Sequence, residues 1–290
     1  MKKIQVQNKK RLLICSDAKN EADDPFAIVH ALLTETFDVR GLIATHFREK
    51  NSNEKSYQEI IRLVKLAGKE NQIPILLGAK NAYMESKKTT AFIKKEIVKA
   101  SKKEPLFILC LGALTDVANV IKEAPENLEN VVIVWVGGGR YPQGSQEANL
   151  RNDIWAANQV FSSNMTIWQI PSQAYKTLVA PVSELALKVA TQGKLGQYLY
   201  DQLVDFANEF ASVKPWINSE CWVLGDSSAV GVLLDEQKGY YRMSTAPCFK
   251  ENCEHDFKPN QDKRKIRVYQ QLNTRMILED FFAKLALHNL

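Results

Sequence analysis

RLLICSDAKNEADDPFAIVHALL, residues 11–33, joins a short apolar run to a segment with helical periodicity. Four carboxylates lie between the two: Asp17, Glu21, Asp23 and Asp24. Carboxylates this close repel one another unless a cation or bound protons compensate their charge. A helix-capping Asp would account for one or two of them. Four acids after a first strand instead indicate a site, because open α/β sheets bind ligands at the carboxyl ends of their strands.

Further runs rich in Val, Ile and Leu follow the first, separated by segments of helical period. The runs are apolar nearly throughout rather than alternating, which is typical of parallel strands covered by helices on both faces. The sequence therefore predicts an α/β fold with a doubly wound, mainly parallel, Rossmann-like sheet. Strands are predicted at 11–15, 39–44, 73–77, 106–111, 131–136 and 166–170, with crossover helices at 23–33, 54–66, 89–100, 115–124 and 153–161.

The pattern changes after residue 170. Two helical segments, 181–190 and 195–210, precede a Trp-rich stretch at 215–222, and a strand-like run at 265–270 precedes a closing helix at 275–286. No linker rich in Pro, Gly or Ser divides the chain. We therefore expect one domain, 1–290, with a helical elaboration in its C-terminal third that forms a cap region at 175–225.

The composition argues against several functional classes. The chain is 45% hydrophobic and 24% charged, and no apolar stretch is long enough to span a membrane. The basic N-terminus is not followed by the apolar segment of a secretory signal, so we expect a cytoplasmic protein. The net charge of +5 comes from scattered lysines rather than a basic stripe, which argues against a nucleic-acid partner. A small-molecule ligand remains the expected partner.

Polar residues also follow the later predicted strands. Thr45 and His46 follow the second, Thr115 follows the fourth, and a Gly-Gly-Gly triplet at 137–139 follows the fifth, where it either lets a ligand approach the backbone or forms a flexible turn. Asp226 introduces a helical apolar run and, taken alone, reads as a helix N-cap. Combined with the acids of the first loop, it is a candidate ligand for a hard cation, which prefers oxygen donors.

In their order along the chain, these segments resemble the inosine-uridine nucleoside hydrolase superfamily, whose strand-one motif is Asp-x-Asp-Pro-Gly-x-Asp-Asp. Asp17 matches the first acid and Asp23-Asp24 the closing pair. Segments 39–45, 73–78, 111–118 and 131–139 follow in register, and Glu147-Ala-Asn149 is similar to the family's Glu-Phe-Asn. The resemblance covers nearly the whole chain and implies the nucleoside hydrolase fold.

The resemblance also implies an activity, the Ca²⁺-dependent hydrolysis of the N-glycosidic bond of a ribonucleoside or related riboside. A loop carboxylate would deprotonate the attacking water, and hydrogen bonds to the sugar hydroxyls would stabilise an oxocarbenium-like transition state. We also expect a homodimer or homotetramer. The implied metal ligands are Asp17, Asp24, Asp226 and the backbone carbonyl of Thr115; the catalytic residues are Asp17, Glu21 and Asp23; the substrate-binding residues are Asp23, His46, Asn51, Glu147, Asn149 and Trp222.

Departures from the family pattern keep alternatives open. Lys19 replaces the family's second Asp, and we favour the added carboxylate of Glu21 as its substitute. If the Lys19 ammonium occupies the cation position, Ca²⁺ binding should vanish; if it turns outward, the family mechanism survives. The chain is then a nucleosidase, a hydrolase of another sugar derivative, or a non-catalytic metal-binding or sugar-binding relative.

The leaving-group side of the site departs as well. The His that typically precedes the last metal-binding Asp is Gly225 here. His46, Glu220, Trp216 or Trp222 are the candidates to compensate for it. The family's Asn after strand two has only shifted counterparts, Asn51 and Asn53.

Overall fold

Within the residues that the computed structural model describes, 4–123, 126–217, 220–260 and 264–290, an eight-stranded sheet organises the chain. Its order is β3-β2-β1-β4-β5-β6-β12-β9, and only the β12–β9 pair is antiparallel. The strands are β1 (Lys10–Ser16), β2 (Phe37–Ala44), β3 (Ile75–Leu77), β4 (Leu106–Cys110), β5 (Val131–Val136), β6 (Thr166–Ile170), β7 (Val179–Pro181), β8 (Cys221–Val223), β9 (Tyr241–Thr245), β10 (Cys248–Phe249), β11 (His255–Asp256) and β12 (Lys265–Tyr269).

Helices cover both faces of this sheet, so the predicted doubly wound α/β fold is confirmed. Alternate side chains of β1 enter opposite cores: Leu12 and Ile14 pack on one face, Leu13 and Cys15 on the other. The helices are α1 (Asp24–Leu32), α2 (Ser52–Leu66), α3 (Lys87–Val98), α4 (Thr115–Lys122), α5 (Ala148–Asn152), α6 (Ile154–Ser162), α7 (Ser172–Tyr175), α8 (Val182–Lys188), α9 (Gly193–Phe210), α10 (Ser227–Leu234) and α11 (Thr274–Asn289).

The order of the strands creates a crevice beside β1. From β1 the chain builds outward through β2 and β3 on one side, and through β4, β5 and β6 on the other. The connections therefore leave β1 and β4 in opposite directions, which opens the sheet at their carboxyl ends. The acidic loop 17–24 follows β1 at this point.

Some elements differ from the sequence prediction. The predicted helix 153–161 corresponds to α6, and an unpredicted short helix, α5, precedes it; between the two, Asp153 leaves helical geometry (φ −158°) and caps α6 by accepting a hydrogen bond from the Ala156 N–H. The predicted helix 115–124 ends at Lys122, and Ala124 lies outside the described residues. The 175–225 region contains α8 and α9 as expected, together with an unpredicted antiparallel pair, β7–β8. No described helix has the length and apolar character needed to cross a membrane.

Candidate active site

Three carboxylates converge at the carboxyl edge of the sheet. Asp23 and Asp24 stand at the N-terminus of α1 and Asp226 at that of α10, and these two helices pack against each other. One carboxylate oxygen from each lies within 4.8 Å of the others. Asp24 and Asp226 are buried, and Asp23 is partly exposed. The fold thus brings together acids that are about 200 residues apart in sequence.

The capping explanation does not account for this cluster. Asp23 and Asp226 occupy N-cap positions, yet neither side chain accepts a hydrogen bond from its own helix. Asp23 Oδ2 instead accepts from the backbone N–H of Asp226 (3.3 Å), and Asp24 Oδ1 accepts from Ser16 Oγ (2.5 Å). Asp23 and Asp24 therefore accept from groups outside their own helix, and one oxygen of each of the three carboxylates lies near the other two.

Burial raises the pKa of all three carboxyl groups of the cluster. Burial, followed by the charge of Asp24, raises the pKa of Asp23 to about 7, and burial raises the pKa of Asp24 to about 7. Burial and the charge of Asp23 raise the pKa of Asp226 well above its ordinary value. Carboxylate oxygens in this arrangement are the donors that a hard divalent cation prefers, so the residues fit such an ion.

Asp17 lies beside the three-carboxylate cluster, at the junction of three strands. It is buried, and its Oδ2 accepts a hydrogen bond from Asn20 Nδ2 (3.0 Å). Its Oδ1 lies 2.6 Å from where a Cβ at Gly112 would stand, and Thr45 Oγ1 lies 2.7 Å from the same point. The buried Thr45 hydroxyl has no hydrogen-bond partner among the described residues. Gly112 is therefore the residue that makes room for the Asp17 carboxylate.

Lys19 points away from the acids. Its Nζ lies 3.8 Å from Glu59 Oε2 on α2, and its side chain is 45% exposed. Glu59 also accepts a hydrogen bond from Tyr198 Oη of α9 (2.5 Å). Of the two outcomes expected for Lys19, the structure shows the second, in which the cation position stays available.

Glu21 lies on the cap side of the loop. Its Oε1 is 4.0 Å from Lys214 Nζ, and that ammonium stands over the rings of Phe206, Phe210 and Trp216 at 5.2, 5.5 and 5.6 Å. Burial, followed by the charge of Asp23, raises the pKa of Glu21 to about 7. Glu21 therefore connects the acidic loop to an aromatic and cationic part of the cap.

Glu147 is an acid with satisfied oxygens. As the N-cap of α5, it accepts at Oε2 from the N–H groups of Gly138 (2.8 Å) and Leu150 (3.0 Å), and at Oε1 from the Asn149 N–H (3.1 Å). Gly138, in the glycine triplet, thus donates a hydrogen bond to this acid from a backbone with φ +84°. Its neighbour Gly137 is restricted for another reason, because a Cβ there would collide with the Trp135 ring.

The side chain of Asn149 connects two strands. Its Nδ2 donates to the carbonyl oxygens of Leu111 (2.6 Å) and Val136 (2.9 Å), which follow β4 and end β5. Both amide hydrogens are therefore used within the protein.

Tyr175 was not predicted as a site residue, yet it reaches the site. It ends α7, and its Oη donates to Glu147 Oε1 over 3.3 Å. A Cβ at Gly225 would lie 2.8 Å from its ring carbon Cδ2, so the ring fills the space beside Gly225. Burial and the charge of Glu147 raise the pKa of Tyr175 far above its ordinary value, which keeps the phenol protonated.

His46 and Thr115 belong to a buried hydrogen-bond chain. Thr115 Oγ1 donates to Asp153 Oδ2 (2.7 Å), and His46 Nε2 lies 2.8 Å from the same hydroxyl. Because the threonine hydroxyl has one hydrogen, His46 Nε2 is the donor to it. Burial lowers the pKa of His46, in agreement with a neutral ring. The chain fixes the first turn of α4, where the predicted carbonyl ligand stands.

Asn51 and Trp222, two of the predicted substrate-binding residues, lie in positions that also suit a structural role. Asn51 precedes α2 in the left-handed region (φ 56°) and is partly exposed. Trp222 is only 4% exposed and packs edge-on against Phe206 and Trp216. Trp216 is the more exposed ring of this group, at 48%.

The sequence profile described as inosine-uridine preferring nucleoside hydrolase matches residues 14–278. The chain belongs to this family. Its members are N-glycosyl hydrolases, so the protein is an enzyme of that class, with a small-molecule substrate. The four acids of the first loop follow β1, and Asp226 directly precedes α10.

Several solved structures share this fold. A purine-preferring ribonucleoside hydrolase from Gardnerella vaginalis aligns with a TM-score of 0.82 at 18% identity, over 97% of this chain and 99% of that one. A plant nucleoside hydrolase aligns with a TM-score of 0.78 at 16% identity, over 96% and 99%. An inosine-uridine preferring nucleoside hydrolase from Bacillus anthracis gives 0.73 at 14% identity, over 96% and 99%. No curated protein matches the chain in a sequence search.

Proposed function

We propose that this enzyme hydrolyses the N-glycosidic bond of a ribonucleoside or a closely related riboside, with Ca²⁺ as its metal. The observation that supports this most directly is the convergence of Asp23, Asp24 and Asp226 within 4.8 Å, with Asp24 and Asp226 buried and the pKa of each of the three carboxyl groups raised. A metal site of oxygen donors beside a sugar-binding crevice suits the orientation of a diol and a water.

Asp24 and Asp226 would hold the ion, with Asp23 at its sugar-facing edge and with Asp17 and the Thr115 carbonyl completing the set. When bound, Ca²⁺ supplies the positive charge that orients the water and the sugar hydroxyls. The buried His46–Thr115–Asp153 chain supports this assignment, since it fixes the turn that presents the carbonyl.

Asp17 takes the proton of the attacking water in this proposal. Its Oδ2 is held by Asn20, which orients Oδ1 towards the space between β1 and β4. Glu21, the residue favoured from sequence, faces Lys214 on the cap side and is better placed near the departing group.

Asp23, Glu147 and Asn149 would bind the ribose hydroxyls, which donate to carboxylate and amide oxygens. These contacts strengthen as the sugar gains positive charge in the transition state. Asn51 would contact the substrate in this proposal, while His46 holds the Thr115 turn and Trp222 packs against the more exposed ring of Trp216.

We propose that residues 175–225 cap the site within one domain. Gln202 of α9 donates to the Ala22 carbonyl (2.9 Å), which ties the cap to the acidic loop. A homodimer or homotetramer in the cytoplasm completes the proposal, and sedimentation of the purified protein tests the assembly.

The experiment is release of free ribose from a panel of purine and pyrimidine ribonucleosides, with Ca²⁺ and with a chelator. We expect release that requires the metal and that is lost in Asp226→Asn. Asp38→Asn, at an exposed carboxylate paired with Arg40, is the control and should retain activity. If no nucleoside gives metal-dependent release, the proposed function is wrong.

A second candidate substrate class is a riboside whose leaving group is not a nucleobase. Gly225 and the adjacent Tyr175 ring favour it, because this side of the site departs from the family pattern. Faster metal-dependent turnover of such a riboside than of every nucleoside would select this candidate.

A further inference from the structure

Three polar side chains around the acidic cluster, Ser16, Asn20 and Asn149, already donate hydrogen bonds within the protein. The ionised carboxylates of the cluster can accept hydrogen bonds but cannot donate them. Ser16 donates to Asp24, Asn20 donates to Asp17, and Asn149 donates both amide hydrogens to backbone carbonyls. These donors are directed into the protein.

A riboside needs a donor at one place in particular. Its hydroxyls can donate to the carboxylates, but the leaving atom gains an electron pair as its bond to C1′ breaks. A donor aimed at this atom stabilises the transition state more than the ground state.

The phenol of Tyr175 meets this need. Its bond to Glu147 Oε1 is 3.3 Å long, beyond the usual range for O–H···O bonds, so redirecting its hydrogen loses little. Glu147 keeps its other donors, the N–H groups of Gly138, Asn149 and Leu150. The Tyr175 ring is held against Gly225, directly before the cluster residue Asp226.

We propose that Tyr175 is a catalytic residue of this site, which donates a hydrogen bond to the leaving atom of the substrate. The role rests on the proposed riboside hydrolysis. The C1′–leaving atom bond breaks with its electron pair on the leaving atom, and a water oxygen bonds to C1′. Of the two hydrogens of the water, one stays on the new sugar hydroxyl, and the other passes to Asp17 and from there through solvent to the departed base. Tyr175 keeps its own proton.

This arrangement requires glycine at position 225. A methyl group at this position would approach the Tyr175 ring to 2.8 Å, closer than carbon atoms ordinarily pack. Gly225→Ala should therefore displace the phenol, whereas its other near neighbour, Asp23 Oδ2 at 3.4 Å, is at ordinary contact distance.

The test compares Tyr175→Phe with the parent enzyme on two substrates, a nucleoside and 4-nitrophenyl β-ribofuranoside. Nitrophenolate is stable as an anion and needs no donor. We expect kcat/KM to fall about 100-fold on the nucleoside and less than about 3-fold on the nitrophenyl riboside. Equal losses on both substrates, or no loss on either, would overturn the role of Tyr175.

Two further variants complete the design. Tyr141→Phe removes a phenol whose 3.2 Å hydrogen bond goes to the Thr245 carbonyl, and it should leave both rates unchanged. Gly225→Ala should reproduce the selective loss and add nothing in the double variant with Tyr175→Phe; an additive loss counts against their coupling. A parent enzyme that cleaves neither riboside refutes the proposed function itself, and with it the role of Tyr175.

Discussion

Two acidic regions stand at helix N-termini along the same edge of the sheet, and they use their oxygens differently. Glu147 and Asp153 accept hydrogen bonds from the helices that they cap. Asp23 and Asp226 hold the same positions on α1 and α10 and cap neither helix. An Asp at an N-cap position in the sequence therefore does not reveal whether it caps its helix. A carboxylate that caps a helix and one that is proposed to bind a cation differ in which distant residues surround them.

The largest expected effect comes from Asp226→Asn. We expect ribose release to fall by at least about 100-fold, since a charged ligand of the cluster is lost. Without metal, the same change should raise the free energy of unfolding by about 1 kcal/mol, because it relieves repulsion among buried carboxylates. Activity and denaturant unfolding in chelator measure the two effects. If Asp226→Asn instead lowers the free energy of unfolding of the metal-free protein, Asp226 stabilises the fold as the capping acids do.

Ca²⁺ should stabilise the parent protein and not this variant. An ion that binds only the folded state at a free concentration 100 times its Kd adds about 2.7 kcal/mol. Thermal unfolding across a Ca²⁺ titration measures the gain. A Tm that is independent of Ca²⁺ in the parent protein would remove the metal from the proposal.

Glu147→Gln should act in the opposite direction on stability. The amide weakens the hydrogen bonds from the N-terminus of α5, so we expect a loss of about 1 kcal/mol together with reduced activity. Asn273→Ala is the matched control, because Asn273 caps α11 by accepting from the Met276 N–H. This control should lose similar stability while its kcat/KM stays at the parent value. Stabilisation by Glu147→Gln would show that the two acidic regions are alike.

Lys19→Ala should have the smallest effect. Its exposed ion pair with Glu59 contributes at most about 1 kcal/mol, and its ammonium lies outside the cluster. We expect Ca²⁺ affinity to change less than about 3-fold, which calorimetry measures. A large gain in affinity would mean that Lys19 competes for the cation position.

The parallel part of the fold was predictable because its central strands, β1, β4, β5 and β6, are apolar and mostly buried on both faces. Strands 131–136 and 166–170 were predicted with the bounds that the structure gives. The edge strand β9 was missed, since its sequence Tyr-Arg-Met-Ser-Thr is partly exposed and has no apolar run. Its pairing with β12 is a long-range contact without a local sequence signal.

The site residues also differ in how far the sequence reveals them. The acids of the first loop and Asp226 are visible in sequence because charge is unusual beside apolar runs. Tyr175 is not visible, because a lone Tyr in a short helix resembles any partly buried aromatic residue. Gly225 gives the only signal: a residue without a side chain before Asp226 indicates that another group fills its space. The outward direction of Lys19 likewise depends on Glu59 of α2, which the loop sequence does not specify.

The close approach of Asp17 to Gly112 also restricts how the sequence can evolve. Any side chain at 112 would meet a carboxylate oxygen at 2.6 Å and the Thr45 hydroxyl at 2.7 Å. In a saturation library screened for ribose release, position 112 should therefore return glycine alone. Only smaller side chains at both 17 and 45 would remove this restriction, so changes at the three positions should occur together.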